Sequence, residues 1–297
     1  MKKCLVIGAA MLDLTMKLDT LPRSGDDVYA SSQEMSVGGC AYNVADILKH
    51  YEIPYDLFAP VGTGIYADII EEKLKSSGHT SMIKSKDQDN GYCLALIEKS
   101  GERTFITLPG IECSFKKEWF DALDPSEYDC AYVSGYEIEG EGGENIIDFF
   151  EKNPQLEIYY APGPRITFIS EEKQRRMEAL HPVVHLNDKE ALEYTGEETL
   201  EIAAKKLRER FGNTVMITMG SKGVLLEDGE SKVIESTPVK AVDTTGAGDS
   251  HIGTVIAMRK SGREFEKALK EANHISSLIV QVNGSTLNKN EFVKGDY

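Results

Sequence analysis

The chain has 297 residues, 41% of them hydrophobic, enough to bury a sizeable core as one large domain with at most an appendage. Its 49 acidic residues against 33 basic ones give a formal net charge of -16, and no run of Lys or Arg exceeds two residues. That balance argues against a nucleic-acid partner, and an anionic substrate would have to be held locally by backbone amides, a metal or a few bases. Five scattered cysteines, Cys4, Cys40, Cys93, Cys113 and Cys130, form no C-x-x-C pair, so neither a disulfide framework nor a zinc site is expected. Reduced thiols in a cytoplasmic protein are the expectation.

The N-terminal run MKKCLVIGAAML combines two lysines with an apolar stretch, as a leader peptide does. Asp13 interrupts it and no small-x-small cleavage pattern follows, so CLVIGAA is predicted to be a buried strand ending in small residues. No segment approaches the ~20 apolar residues needed to span a membrane. The letters from 14 to 36 then alternate apolar and polar, broken by Pro22 and Gly25, which predicts half-exposed antiparallel strands. GGCAYNVADILKHY predicts a helix opened by Gly38 and Gly39, YDLFAPVG a strand, and YADIIEEKLKSSG a helix stopped by Gly78. A second alternating stretch, GYCLALIE and RTFITL around Gly101, predicts a hairpin within 89 to 110.

From DCAYVSG onward, strands and helices alternate: ENIIDFFEKN, LEIYYAP, EEKQRRMEAL, VVHLN, DKEALEYTG, IAAKKLRERFG and TVMITMG. GVLLEDGESKVIES reads as another hairpin, and a helical pair runs from Ala247 to about Val282. This order predicts an α/β fold with a mostly parallel sheet, the two alternating stretches forming one small added sheet.

Open α/β sheets bind ligands at the carboxyl ends of their strands, so residues following apolar runs carry the functional reading. They are Asp13, then Gly38, Gly39 and Asn43, then Asn187 and Glu190, then TMGSKG at 218 to 223, and VDTTGAGDS at 242 to 250. Gly246, Ala247 and Gly248 at a helix start would leave amides pointing outward, where the helix dipole favours an anion. On residue types alone, Asp249 behind them is either a favourable charge in a first helical turn or a base that takes the proton of an attacking hydroxyl. The P-loop pattern G-x-x-x-x-G-K-[ST] has no match. GTGIYA at 62 to 67, Gly62 through Ala67, is a partial dinucleotide fingerprint and the basis of a competing NAD-linked oxidoreductase reading. It lies at the second strand-helix unit, and no acid ends a strand about twenty residues on, so a tight loop explains it as well. The histidines, His251 included, show no metal-ligand spacing.

Taken together and in this order, GGCAYN, NDKE, TMGSKG and DTTGAGDS resemble the PfkB-type carbohydrate kinases, the ribokinase-like family. VIGAAMLD, SVGGCAYNVA, DNGYCLALIE and SGERTF resemble most a less characterised bacterial sugar-kinase branch. The resemblance implies one ribokinase-like kinase domain over 1 to 297, a three-layer α/β/α body with a small β lid inserted at about 14 to 36 and 89 to 110. It implies Asp249 as the base on a primary sugar or nucleoside hydroxyl, with the amides of Gly246, Ala247, Gly248 and Asp249 as anion hole. Asp13, Gly38, Gly39 and Asn43 would hold the acceptor's hydroxyls. Asn187, Thr218, Gly220, Gly223 and, beside the adenine, Asn273 would bind ATP, with Glu190 holding Mg2+ through water. Asp243, Thr245 and Gly284 match a loop that holds a monovalent cation such as K+ in many members. The lid sheet pairs subunits in relatives, so a homodimer is implied. One departure is APGPR at 161 to 165, which keeps only Arg165 of the D-x-N-x-R segment found in many fructose and ketogluconate kinases. A surface ion pair is its plainest use. A non-catalytic sugar or nucleotide sensor on the same fold is the third reading, opposed by the retained Asp249.

Overall fold

A computed structural model describes residues 1–295. Strand β1 (Lys3–Ile7) is an interior strand of a nine-stranded sheet, third from one edge, and its side chains explain the continuous apolar run. Cys4 and Val6 join one buried cluster, while Leu5 and Ile7 join a second on the opposite face. A strand covered on both faces needs no polar alternation.

The other strands of this sheet are β4 (Tyr55–Val61), β5 (Ser81–Lys84), β8 (Tyr128–Ser134), β9 (Glu157–Ala161), β10 (Val183–Asn187), β11 (Val215–Thr218), β12 (Val224–Glu227) and β13 (Ser231–Ile234). Their order is β13-β12-β11-β10-β9-β8-β1-β4-β5, parallel from β5 to β11, with β12 and β13 added as an antiparallel hairpin at one edge. Helices α1 (Cys40–His50), α2 (Ile65–Ser76), α9 (Ala247–Lys260) and α10 (Phe265–Ile279) contribute buried residues to the first cluster. The second cluster takes in residues of α3 (Lys117–Asp121), α4 (Gly135–Glu139), α5 (Gly143–Lys152), α6 (Glu171–Ala179), α7 (Asp188–Thr195) and α8 (Leu200–Phe211). The result is three layers, helices over sheet over helices. From β1 the chain winds outward to β4 and β5, then crosses back to β8 and continues to β11. The winding direction therefore reverses beside β1, and a cleft at the carboxyl ends of β1 and β8 is the expected ligand position.

The alternating stretches form a separate sheet of four strands, β2 (Met11–Leu18), β3 (Ser32–Gly38), β6 (Tyr92–Glu98) and β7 (Arg103–Leu108), ordered β3-β2-β6-β7. Each pair closes as an antiparallel hairpin, and the two hairpins join through a parallel β2–β6 seam. Register puts Asp13, Ser36, Cys93 and Thr107 on one face and Leu14, Met35, Leu94 and Ile106 on the other. Strand β5 and the short α3 and α4 escape the sequence reading, because four or five residues carry too little periodicity to register. No helix among the described residues is long and apolar enough to cross a membrane.

Candidate active site

At the start of α9, Gly246 takes a left-handed φ of 74° and no side chain caps the helix. The first-turn amides of a helix have no intrahelical partner, and here only that of Ala247 is turned inward, 3.3 Å from the Thr244 carbonyl. A Cβ on Gly248 would meet nothing within 4 Å, so the space over this turn is open. Asp249 is the acid of that first turn, and Asn43 of α1 donates to its Oδ2 through Nδ2 at 2.7 Å. Burial raises the Asp249 carboxyl above its ordinary 3.8, opposed by hydrogen bonds from Asn43 and Cys40. A partly desolvated carboxylate is thus held beside uncapped amides.

Asp13 lies on β2, facing this region from the small sheet. Its Oδ2 sits where a Cβ on Gly38 would fall, 2.3 Å from it, and burial lifts its carboxyl to about 6. Gly39 has φ 104° and a Cβ there would stand 2.5 Å from the Ala9 carbonyl, so the turn into α1 requires glycine. The structure thereby brings Asp13, Gly38, Gly39, Asn43 and Asp249 together from four elements, β2, β3, α1 and α9.

The sequence reading missed Glu137, which ends the β8 side of the same cleft. It is buried, accepting from the Ala9 amide at 3.2 Å and from Ser134 Oγ at 2.5 Å, and burial raises its carboxyl. Its position just past the apolar run YDCAYVS is the signal that identified Asp13 after β1.

Asn187 and Glu190 form a capping box on α7: Asn187 Oδ1 accepts from the Glu190 amide at 2.8 Å, and Glu190 accepts from the Asn187 amide and Nδ2 at 3.0 and 2.7 Å. Thr218 pairs with Asn187 across β10 and β11, so these residues share one sheet end. Gly220 opens a 3-10 turn with φ 57°, and Gly223, φ 99°, lies so close to the Ile234 carbonyl that a Cβ would be 2.1 Å away. Asn273 is buried, and its amide is consumed by protein: Nδ2 donates to the Ile234 and Glu235 carbonyls at 3.0 and 3.2 Å, while Oδ1 lies 3.3 Å from His251 Nε2. His251 in turn meets His185 at 3.0 Å, and burial holds its imidazole down at about 4, so this chain of groups is a neutral brace between α9 and β10. Among the described residues no cluster of three or more His, Cys, Asp or Glu is arranged as a metal cage. The donor set at Glu190 is carboxylate oxygen, the chemistry Mg2+ takes when phosphates and water supply its other ligands.

Asp243, Thr245 and Gly284 also come together. Asp243 accepts from the Thr245 amide and hydroxyl at 3.0 and 2.8 Å, from the Gly284 amide at 3.3 Å, and from Arg103 Nη1 of β7 at 3.2 Å. Burial alone would raise this carboxyl; the hydrogen bonds outweigh it and hold the group below its ordinary value. With four donors in place, one of them a guanidinium, that carboxylate is neutralised by the protein itself. Arg165 forms a two-pronged pair with Glu139 and stacks 4.4 Å from the Phe168 ring centre, so it is the surface ion pair expected of it.

The GTGIYA loop answers differently. It does follow a strand and open a helix, but Asp89 fills the helix start, accepting from the Tyr66 and Ala67 amides at 3.2 and 2.7 Å. Asn90 takes the Gly62 amide at 2.8 Å. The donors a pyrophosphate would need are already engaged, and the loop is a self-capped turn.

Comparison with known proteins agrees with this fold. The family model described as pfkB family carbohydrate kinase matches residues 1–291. The chain is 33% identical over 282 residues to the uncharacterized sugar kinase YegV of Escherichia coli strain K12, covering 93% of this chain and 88% of that one. Among solved structures, ribokinase of Thermotoga maritima superposes with a TM-score of 0.84 at 24% identity over 98% of each chain. Arabidopsis thaliana ribokinase, complexed with ribose and ATP, superposes at 0.80 with 19% identity over 98% of this chain and 97% of that one. The chain belongs to the pfkB family of carbohydrate kinases.

Proposed function

We propose that the protein transfers the γ-phosphoryl group of ATP to a hydroxyl, primary in the simplest case, of a neutral sugar or nucleoside. The observation that carries this reading is the pairing of a half-buried carboxylate, Asp249, with the uncapped amides of Gly248 and Asp249 at one helix start. The hydroxyl proton passes to Asp249 as the oxygen attacks the phosphorus in line, and charge on the transferred group meets the amides and the helix dipole. Asn43 fixes the direction of the base. Asp13, which has no hydrogen-bonding partner among the described residues, accepts from acceptor hydroxyls. Asn187, Thr218, Gly220 and Gly223 receive the nucleotide, and Asn273 shapes its pocket through the 234–235 backbone rather than by direct contact. Bound at Glu190 through water, Mg2+ would neutralise phosphate charge. Asp243 needs no monovalent cation while Arg103 holds it.

Neutrality of the acceptor follows from charge. Asp13, Glu137 and Asp249 gather in the cleft, while Arg103 and Arg165 beside it are each paired with an acid. A carboxylate or phosphate on the acceptor would meet this group of acids. The small sheet acts as a lid whose polar face covers the acceptor and excludes water. Its opposite face leaves Met35, Ile106 and Leu108 exposed at 58%, 54% and 51%, and a homodimer through that face would cover them.

A coupled ADP-release assay over neutral sugars, nucleosides, sugar acids and sugar phosphates tests the reading. Turnover with a neutral acceptor is expected; turnover confined to anionic acceptors overturns the charge argument, and no ATP consumption with any acceptor overturns the kinase assignment of the site. Hydrogen exchange tests the lid: protection should rise in 14–36 and 89–110 together on adding acceptor. No change at saturation would make the sheet a fixed surface.

A further inference from the structure

Asn43 can serve Asp249 only if its amide is held one way round. Its Nδ2 donates to the carboxylate at 2.7 Å, which leaves Oδ1 to accept. The group that supplies a proton to Oδ1 is the hydroxyl of Ser285, at 2.8 Å, 242 residues away in sequence. The acceptor-only carboxylate of Asp249 sets which way round the amide lies, and the Ser285 hydroxyl, donating to Oδ1 from the other side, pins the amide in place within that orientation. The segment around Ser285 is fixed on both sides. Gly284 donates its amide to Asp243, and the Leu287 carbonyl lies 3.0 Å from His50 Nε2 at the end of α1. Ser285 also backs the anion turn: a Cβ on Gly246 would stand 2.6 Å from the Ser285 Cβ, so the turn's left-handed glycine is pressed directly against it.

We infer that Ser285 is a positioning residue for phosphoryl transfer, setting the Asn43 amide and through it the direction and proton affinity of Asp249. This rests on Asp249 being the base. Without the Ser285 donor, the Asn43 amide is no longer pinned at its oxygen and can swing away from the carboxylate, Asp249 loses part of a hydrogen bond that favours its ionised form, and its proton affinity rises.

The test is a double-mutant cycle with pH profiles. Ser285→Ala should lower kcat by about tenfold, in keeping with weakening of the hydrogen bond from Asn43 to the charged Asp249 carboxylate. It should also move the acid limb of kcat/KM to higher pH, with the KM for ATP and the melting temperature little changed. In an Asn43→Ala background, Ser285→Ala should have no further effect on either quantity. An unmoved acid limb, or a full loss in both backgrounds, overturns the proposal, and so does a loss that tracks a fall in melting temperature. Asp249→Asn separates the two readings: if that variant stays active, the base assignment fails; if it is inactive while Ser285→Ala keeps the wild-type profile, only the role of Ser285 fails.

Discussion

The glycine-led starts of α2 and α9 have opposite fates. At α2 the run GTGIYA is closed by Asp89, which takes two first-turn amides, and by Asn90, which takes a third at Gly62. At α9 the run TTGAGDS has no side-chain cap, open space over Gly248, and its own acid turned to Asn43. Both could cradle an anion by composition. A helix start becomes a ligand site when the fold withholds the capping side chain, and Asp89 and Asn90 reach α2 only because the entry to β6 passes over it.

The largest effect expected from this contrast is at Asp249. Asp249→Asn should lower kcat by ~10²- to 10⁴-fold while ATP still binds, measured by steady-state kinetics and nucleotide titration. More than a third of wild-type kcat would show that the open helix start works without a base. The same carboxyl sets a pH limb: burial raises it, the base must be ionised, and so kcat/KM should fall as pH drops, with a midpoint above 3.8. A limb at or below that value would mean that the base is solvated.

Asp13 is a second acid on the open side, with no hydrogen-bonding partner among the described residues. Its folded value near 6 against an ordinary 3.8 means the ionised form is disfavoured in the fold, a cost absent below 3.8 and complete above 6. Asp13→Asn should therefore stabilise the ligand-free protein by about 1–3 kcal/mol at pH 8 and hardly at all at pH 4, while weakening acceptor binding. Melting curves at the two pH values decide it; equal shifts would place the cause outside this ionisation.

Gly248 sharpens the comparison further. A methyl group there meets no protein atom and replaces glycine inside a helix, so Gly248→Ala should leave stability unchanged or higher by about 0.5–1 kcal/mol. It would crowd a phosphoryl group at the turn, and kcat/KM should fall about tenfold or more. Unchanged kinetics would mean that the anion sits elsewhere.

The smallest effect belongs to the closed helix start. Asp89→Ala should cost about 1 kcal/mol of stability through loss of a cap, with kcat unaltered under conditions where the fold is intact. A large kinetic loss without destabilisation would give the α2 turn a role in turnover and undo the contrast.

Much of this was legible in one dimension because it is governed by local rules. Apolar runs gave the buried parallel strands, alternation separated the two lid hairpins, and glycines followed by an acid marked the start of α9. Asp13, Asn187 and Thr218 could be singled out because open α/β sheets bind ligands where strands end, and strand ends are visible in hydropathy. The contacts that decide how those residues behave join distant parts of the chain. Asp89 closes one glycine turn, Arg103 neutralises Asp243 from another sheet, and Ser285 orients Asn43 across 242 residues. A hydrogen bond depends on position to a few tenths of an ångström, and no local pattern encodes that between segments this far apart. The sequence by itself determined the α/β layering, the places where chemistry could occur and an acid beside bare amides. Only the tertiary structure decided which amides stay free and which acids stay unpaired, since capping and ion pairing are settled by whichever side chain the packed fold brings within reach.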